Sequence, residues 1–585
     1  PPKFANQPPV NPEARAKLIN EEWTGAKGLA EDVRYYGEWM KQEAFKRIGH
    51  LYPTVKDEDG IERTVIAWIW ARTVKCPNPA CGCEMPLANS FVLSSKKGKE
   101  AYVTPKREKG KISYEVACCK SSFPEPKIGR GAKFKCIYCG EPTVPTYIKE
   151  EAMAGHMGSE LLAVVAESHR GRLYISPTKL QIEIAKVDKP EEYPNQPLAY
   201  DPRNIWCPSY GLDTFDKLFT NRQLTMLSTF NRLSKEAQSR AIDDGASQDY
   251  AKAIALYLAF AVDKMADISS SVCSWINTNG VIRNTFARQA IPMTWDFAES
   301  NPFSNSSGSC DLVLKRIVET IKKLPCGSAG HSFQMDAQRD NGLGNLMVST
   351  DPPYYDNIAY ANLSDFFYVW LRQALKDDYP NIFNTLLVPK AEELVVSPYR
   401  FDGGASEARE FFENGMLQAF KRINQYSRDD YPVTVYYAYK QTDGDSKAVS
   451  STGWETMLSA MIEAGFSITG TWPMRTERAG RLIDIDTNAL ASSIVLVCRK
   501  RSVDAPICTQ RDFINALKRE LKPALDKLQA SNIAPVDMAQ SAIGPGMAVY
   551  SRYSKVLEAD GQPMSVRSAL QIINQELDLY FSDQD

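Results

Sequence analysis

The chain has 585 residues, 43% of them hydrophobic and 24% charged, the composition of an ordinary globular protein of about three or four domains. A formal net charge of −2 excludes a polycation, so contact with nucleic acid must come from local patches. No apolar run reaches the about eighteen residues that cross a bilayer, the nearest being Ala253 to Ala266, interrupted by Asp263 and Lys264. No secretory signal opens the chain, so no membrane partner and a cytoplasmic location are expected.

Residues 1–60 read as a charged helical segment, with a helix from about Asn11 to Trp39 and another near Met40 to Arg47. Val65 to Val74 then enters, as a strand, a cysteine-rich insert spanning 61–150. Thirteen cysteines are too few for a disulfide scaffold, but seven of them fall between Cys76 and Cys139. Cys76-x4-Cys81-Gly82 and Cys136-Ile137-Tyr138-Cys139-Gly140 each read as a knuckle whose glycine lets the backbone turn under a metal. Two such knuckles make a closed tetrahedral thiolate site for zinc, structural because no position stays open for water. Cys83 could take the place of Cys81, whereas the adjacent Cys118 and Cys119 cannot both face one ion from a strand. A cluster of buried cysteines is the competing reading.

Between the knuckles, Ser90 to Leu93, Ala101 to Val103 and Ile112 to Val116 alternate as short antiparallel strands, a β-unit that a metal would hold together in place of a core. Ser94 to Lys135 holds twelve Lys/Arg against four acidic residues, with Tyr102, Tyr114 and Phe134 interleaved. That run suits phosphate contacts or a solvated hairpin face equally well.

The stretch 151–300 reads as mainly helical: Ser159 to Ser168 resembles a helix, Pro190 to Pro208 a proline-rich connector, and Thr214 to about Ser271 a helical region whose part from Ser247 to Ser269 is apolar on most faces and so buried. The stretch 301–502 carries α/β patterning. Phe333 to Asp336 looks like the end of a strand with an acid at its tip, and Leu346 to Thr350 like a short buried strand. That strand delivers Asp351-Pro352-Pro353-Tyr354 to its carboxyl end, where open α/β sheets place their ligands.

An exocyclic amine on a base is a poor nucleophile, because its lone pair is delocalised into the ring. Asp351 can accept one amine hydrogen and the Pro352 carbonyl the other, turning the nitrogen toward tetrahedral geometry. Tyr354 offers a ring on which a base can stack, and Pro352 with Pro353 stiffens the loop. A proline-rich turn with no such role is the bland alternative.

The helix Leu363 to Lys376 follows, then a strand from Val433 to Tyr439, a helix from Gly453 to Ala464, and strands Ser467 to Trp472 and Ser493 to Cys498. The connector Arg475 to Ala491, with Arg475, Arg478 and Arg481, is long enough to reach a substrate beside Tyr354. Helices Thr509 to Gln529 and Ser565 to Phe581 dominate the stretch 503–585, with a turn at Gly544-Pro545-Gly546 between them. The four histidines, His50, His156, His169 and His331, show no metal or triad spacing.

The stretches CPNPACGCEMPL, RNTFARQAIPMTWDFAE, STDPPYYDNIAYANLSDFFYVWLR, STGWETML, TGTWPMRTE, NALASSIVLVCR and SNIAPVDMAQSAIGPGM are spread over most of the chain. Together they resemble the large adenine-specific DNA methyltransferases with a zinc-ribbon insert, Asp-Pro-Pro-Tyr-type enzymes often found in phage-defence or restriction-modification settings. The resemblance implies an α/β, Rossmann-like class I methyltransferase sheet that finishes with its last strand inserted antiparallel. It implies S-adenosyl-L-methionine as cofactor, structural zinc on Cys76, Cys81, Cys136 and Cys139, and double-stranded DNA as substrate. Asp351, Pro352, Pro353 and Tyr354 would be catalytic, and Asp336 would approach the cofactor's adenine. Cytosine is the alternative target, and a DNA-binding scaffold subunit with an incomplete catalytic domain is the alternative class.

The family's glycine-rich cofactor loop and its ribose-binding acid are not found, and Asp402-Gly403-Gly404, after a proline-containing loop, reads as a turn. The N-terminal strands of the sheet are therefore expected from an N-terminal segment or a companion subunit that carries the glycine-rich motif. Without them Leu346 to Thr350 would be an exposed apolar edge.

Overall fold

The computed structural model describes the chain except residues 18–21, 109–110, 119–124, 170, 356–357, 438–451, 476–491, 531–534 and 583–585. Arg478, Arg481 and Cys119 lie outside the described residues. The fold is mixed α/β with several separate sheets, and it divides into two compact units, Pro1–Ser332 with Tyr360–Lys390 and Phe333–Ala359 with Ala391–Asp585.

The first unit is built on an antiparallel sheet. Its central strand β1 (Val65–Lys75) is buried at every position but Lys75, as a strand covered on both faces must be. On one side β1 pairs with β2 (Gly158–Ser168), which pairs in turn with Gly171–Ile175; on the other it pairs with β3 (Asp296–Ser300). The stretch Ser159 to Ser168 is thus a strand and not a helix. Its Leu, Ala and Glu residues favour a helix locally, but Leu161 to Ala166 are all buried between two neighbours, and pairing on both edges overrides propensity.

Helix α1 (Lys27–Ile48) runs unbroken through Trp39 and Met40, and Pro12–Lys17 is a separate short helix, so the boundary expected after Trp39 falls instead before Lys27. It packs with α2 (Asn221–Asp243), opened by a Thr220/Gln223 capping box, and α3 (Gln248–Ile268), capped by Ser247. Helix α4 (Tyr360–Leu375) joins this group: its Tyr368 and Leu375 cluster with Ala259 and Phe383. A fully buried ion pair ties α2 to the sheet. Arg222 donates from Nε and a terminal nitrogen to Glu299 at 2.9 and 2.8 Å, while Trp70 and Thr220 donate to the same carboxylate, each at 2.8 Å. The Arg222 guanidinium also lies 4.0 Å from the Trp68 ring centre, so the buried charges are both paired and well solvated by protein groups.

The second unit holds a four-stranded sheet. Strand β4 (Ser349–Thr350) is parallel to β5 (Val433–Tyr437), and β7 (Ser492–Lys500) is inserted antiparallel between β5 and β6 (Phe466–Arg475), giving the order β4-β5-β7-β6. Val433, Val435, Tyr437, Ile494, Leu496, Cys498 and Ile468 share one core with α5 (Gly404–Tyr426), α6 (Thr452–Glu463), α7 (Gln510–Ala530), α8 (Pro535–Ser551) and α9 (Val566–Ser582). The Gly544-Pro545-Gly546 sequence is not a turn but lies inside α8. A Cβ on Gly544 would come within 2.1 Å of the Thr471 hydroxyl, and one on Gly546 within 2.5 Å of Ile573, so the glycines allow close helix packing.

Two expectations for this unit are corrected. Phe333 to Asp336 is not a strand; it is extended surface chain with Phe333 70% exposed. The strand before Asp351 is shorter than Leu346 to Thr350 and is not buried. Among the described residues it has one neighbouring strand, and Met347 is 70% exposed.

Candidate functional site

The sulfurs of Cys76, Cys81, Cys136 and Cys139 all lie within 4.8 Å of one another. Cys76 and Cys139 are 3.5 Å apart and Cys81 and Cys136 3.9 Å. A tetrahedral ion with metal–sulfur bonds of about 2.3 Å requires sulfurs about 3.8 Å apart, so the group fits one four-thiolate ion.

The backbone prepares the same site. Gly82 and Gly140 take left-handed φ values of 56° and 87°, turning each knuckle so that an N–H points back at a sulfur. The N–H groups of Asn78, Cys83 and Glu141 donate to the sulfurs of Cys76, Cys81 and Cys139, in each case from two residues further on. Burial pushes the Cys76, Cys83 and Cys139 thiols up. At Cys81 burial acts the same way, but the Cys83 N–H and the neighbouring thiols outweigh it and leave the group at about 7.

Val74, Met85, Leu87, Phe134, Ile148 and Trp295 pack behind the sulfurs, with the Phe134 and Trp295 rings edge to face at 5.5 Å. Cys118 is exposed and stands apart from the four.

The described lysines and arginines of the basic run are spread over three segments. Lys96, Lys97 and Lys99 sit in the loop before Ala101–Glu108, and Lys106, Arg107 and Lys111 near the tip of the following hairpin. Arg130, Lys133 and Lys135 flank the second knuckle. Lys106 pairs with Glu115 at 2.5 Å, and the Arg107 guanidinium lies 6.0 Å from the Tyr138 ring centre.

In the second unit Asp351 stands exposed one residue beyond β4, with Pro352 buried and Pro353 and Tyr354 half-buried. The Tyr354 hydroxyl donates to the Asp351 carboxylate at 2.9 Å. The Tyr354 ring meets Tyr437 edge to face at 5.3 Å, and Tyr437 stacks on the buried Trp454 at 5.4 Å. Tyr355 packs against Phe412, and its carbonyl accepts the Val396 N–H at 2.9 Å. Gly453 admits this packing, since a Cβ there would lie 3.0 Å from both the Tyr355 Cβ and the Tyr437 hydroxyl. Tyr437, Gly453 and Trp454 are therefore the loop's support. Sequence reasoning had placed them on the right elements without a role, the one signal being the glycine at the start of α6.

Asp336 is not brought to a strand end. Its carboxylate accepts the Gln338 N–H at 2.9 Å and pairs with Arg339 at 3.1 Å. The acid and glycine turn at Asp402-Gly403-Gly404, where Gly404 has φ 64°, leads into α5 from a 3-10 turn at Pro398–Arg400 and not from a strand.

The chain matches no family model, no curated protein and no solved structure.

Proposed function

We propose that this chain supplies the amine-activating half of a DNA methyltransferase that acts on the exocyclic amine of adenine in double-stranded DNA and depends on S-adenosyl-L-methionine. The observation that carries the reading is Asp351-Pro352 at the carboxyl end of β4, in a sheet ordered β4-β5-β7-β6 with β7 reversed. Asp351 accepts one hydrogen of the flipped base's amine and the Pro352 carbonyl the other, while Tyr354 supports the ring. Cytosine, whose amine has the same two hydrogens, is the alternative target.

The methyl donor is held by a partner piece, an N-terminal segment or a companion subunit, whose strands pair with the bare side of β4. The exposed Met347 supports this, because an apolar residue on an open strand edge recruits another strand. In the first unit the four thiols hold a structural zinc ion, and the lysines and arginines around it contact DNA phosphates.

The test is transfer of labelled methyl groups to duplex DNA by the full chain, alone and with any segment encoded ahead of Pro1 added. Transfer that requires Asp351 supports the reading. DNA binding with no transfer in either mixture would replace it with a scaffold role.

A further inference from the structure

A fifth sulfur stands at the cysteine centre. Cys83 Sγ lies 3.4 Å from Cys81 Sγ and 3.5 Å from Cys136 Sγ, while the Cys81–Cys136 pair itself is 3.9 Å apart. Cys83 therefore sits beside one edge of the sulfur tetrahedron, at the separation two ligands of one ion would have. Its backbone is held in place, because its carbonyl accepts the Cys76 N–H at 2.9 Å and its own N–H serves Cys81. Only 3% of Cys83 is exposed, and its neighbours are the apolar Val74, Met85 and Phe134. A buried thiol in that setting could have been any small apolar residue, whereas this one lies against two sulfurs of a metal site.

Resting on the zinc reading, we propose that Cys83 is an alternate metal ligand, so that five thiols share four coordination positions and Cys81 and Cys83 exchange in one of them. In the exchange the metal–sulfur bond to Cys81 breaks as the bond to Cys83 forms, and the proton that Cys83 gives up passes to Cys81. The ion keeps four thiolates and its charge throughout. The position is the one where exchange is geometrically easy: Cys81 is half-exposed and can swing outward, and Gly82 between the two has open space around it. The ligand class is a soft, tetrahedral divalent ion, zinc or its cobalt(II) surrogate.

Cobalt(II) loaded into the full chain reads the number of sulfurs directly, through sulfur-to-metal charge-transfer absorption. Cys81→Ser and Cys83→Ser should each keep one cobalt per chain and the full four-thiolate absorption. The double variant Cys81→Ser/Cys83→Ser, with that coordination position left without a thiol, should lose the four-thiolate absorption and most of the bound cobalt. If Cys81→Ser alone shows the loss while the unaltered chain does not, Cys83 is no ligand and the proposal is overturned with the zinc reading intact. An unaltered chain that takes up no cobalt overturns both.

A second measurement needs no variant to fold. Iodoacetamide added to the zinc-loaded chain should alkylate Cys81 ahead of Cys76, Cys136 and Cys139 with zinc retained, because Cys83 takes its place. Release of zinc in step with Cys81 alkylation overturns the proposal.

Discussion

In the cysteine centre, thiols as far as 63 residues apart converge on one point, whereas the Asp351 loop hangs from a two-residue strand that has, among the described residues, one neighbour. The two regions show what a site needs in order to be whole. A thiolate centre is closed by residues of its own unit, and backbone N–H groups aimed at three of its sulfurs are in place before any ion is. The loop has its rear support in Tyr437, Trp454 and Phe412, but its strand pairs with one other strand among the described residues. The first unit should therefore respond to mutation with loss of structure, and the loop with loss of chemistry at nearly constant stability.

The largest effect should come from Cys136→Ser. Metal binding in small zinc domains is worth about 10 kcal/mol or more, and a thiol lost from a closed site gives up most of that. Elemental analysis should find about one zinc in the unaltered chain and far less in the variant, with the 76–139 segment becoming susceptible to protease. A metal-free chain that stays fully folded would break the comparison on this side.

Next in size is Glu299→Ala, which strands the buried Arg222 guanidinium. Removing one partner of a buried pair costs about 3–5 kcal/mol, so thermal unfolding should move down by many degrees with zinc content unchanged. Asp351→Ala should do the reverse. Loss of an acceptor that matters chiefly at the transition state should lower turnover of the complete enzyme by about a hundred- to a thousandfold, while melting and DNA affinity stay near those of the unaltered chain. Unchanged turnover would remove Asp351 from the chemistry.

How much of this was legible follows the range of the interactions involved. The two knuckles could be read because ligand spacing and the following glycine are local signals, and the four strands around the loop because each apolar run is short and bounded by turns. Ser159 to Ser168 was misread because its helix-favouring residues are overruled by pairing, on one edge with the adjacent Gly171–Ile175 and on the other with β1 about 90 residues away, a contact no local pattern reports. Gly544-Pro545-Gly546 was misread for the same reason, its glycines answering to Thr471 and Ile573 and not to a turn. Asp336 looked like a strand tip because an acid after apolar residues resembles one. The segment forms no strand, and its Phe333 and Met335 are exposed.

The smallest predicted effect separates the two roles of Tyr354. Its ring can support a base, and its hydroxyl occupies Asp351, 2.9 Å away, in the absence of substrate. A substrate amine that donates to Asp351 must displace or share that hydrogen bond, so the hydroxyl competes with the reaction it sits beside. Tyr354→Ala loses ring and hydroxyl together and should weaken capture of a flipped base by about 1–3 kcal/mol, the usual worth of a stacking contact. Tyr354→Phe keeps the ring and its edge-to-face contact with Tyr437 and gives up one half-exposed hydrogen bond, a change of no more than about 1 kcal/mol in either direction. Binding of a duplex whose target adenine is replaced by fluorescent 2-aminopurine measures both variants. If Phe is as damaging as Ala, the hydroxyl and not the ring is what the loop needs, and the stacking role falls.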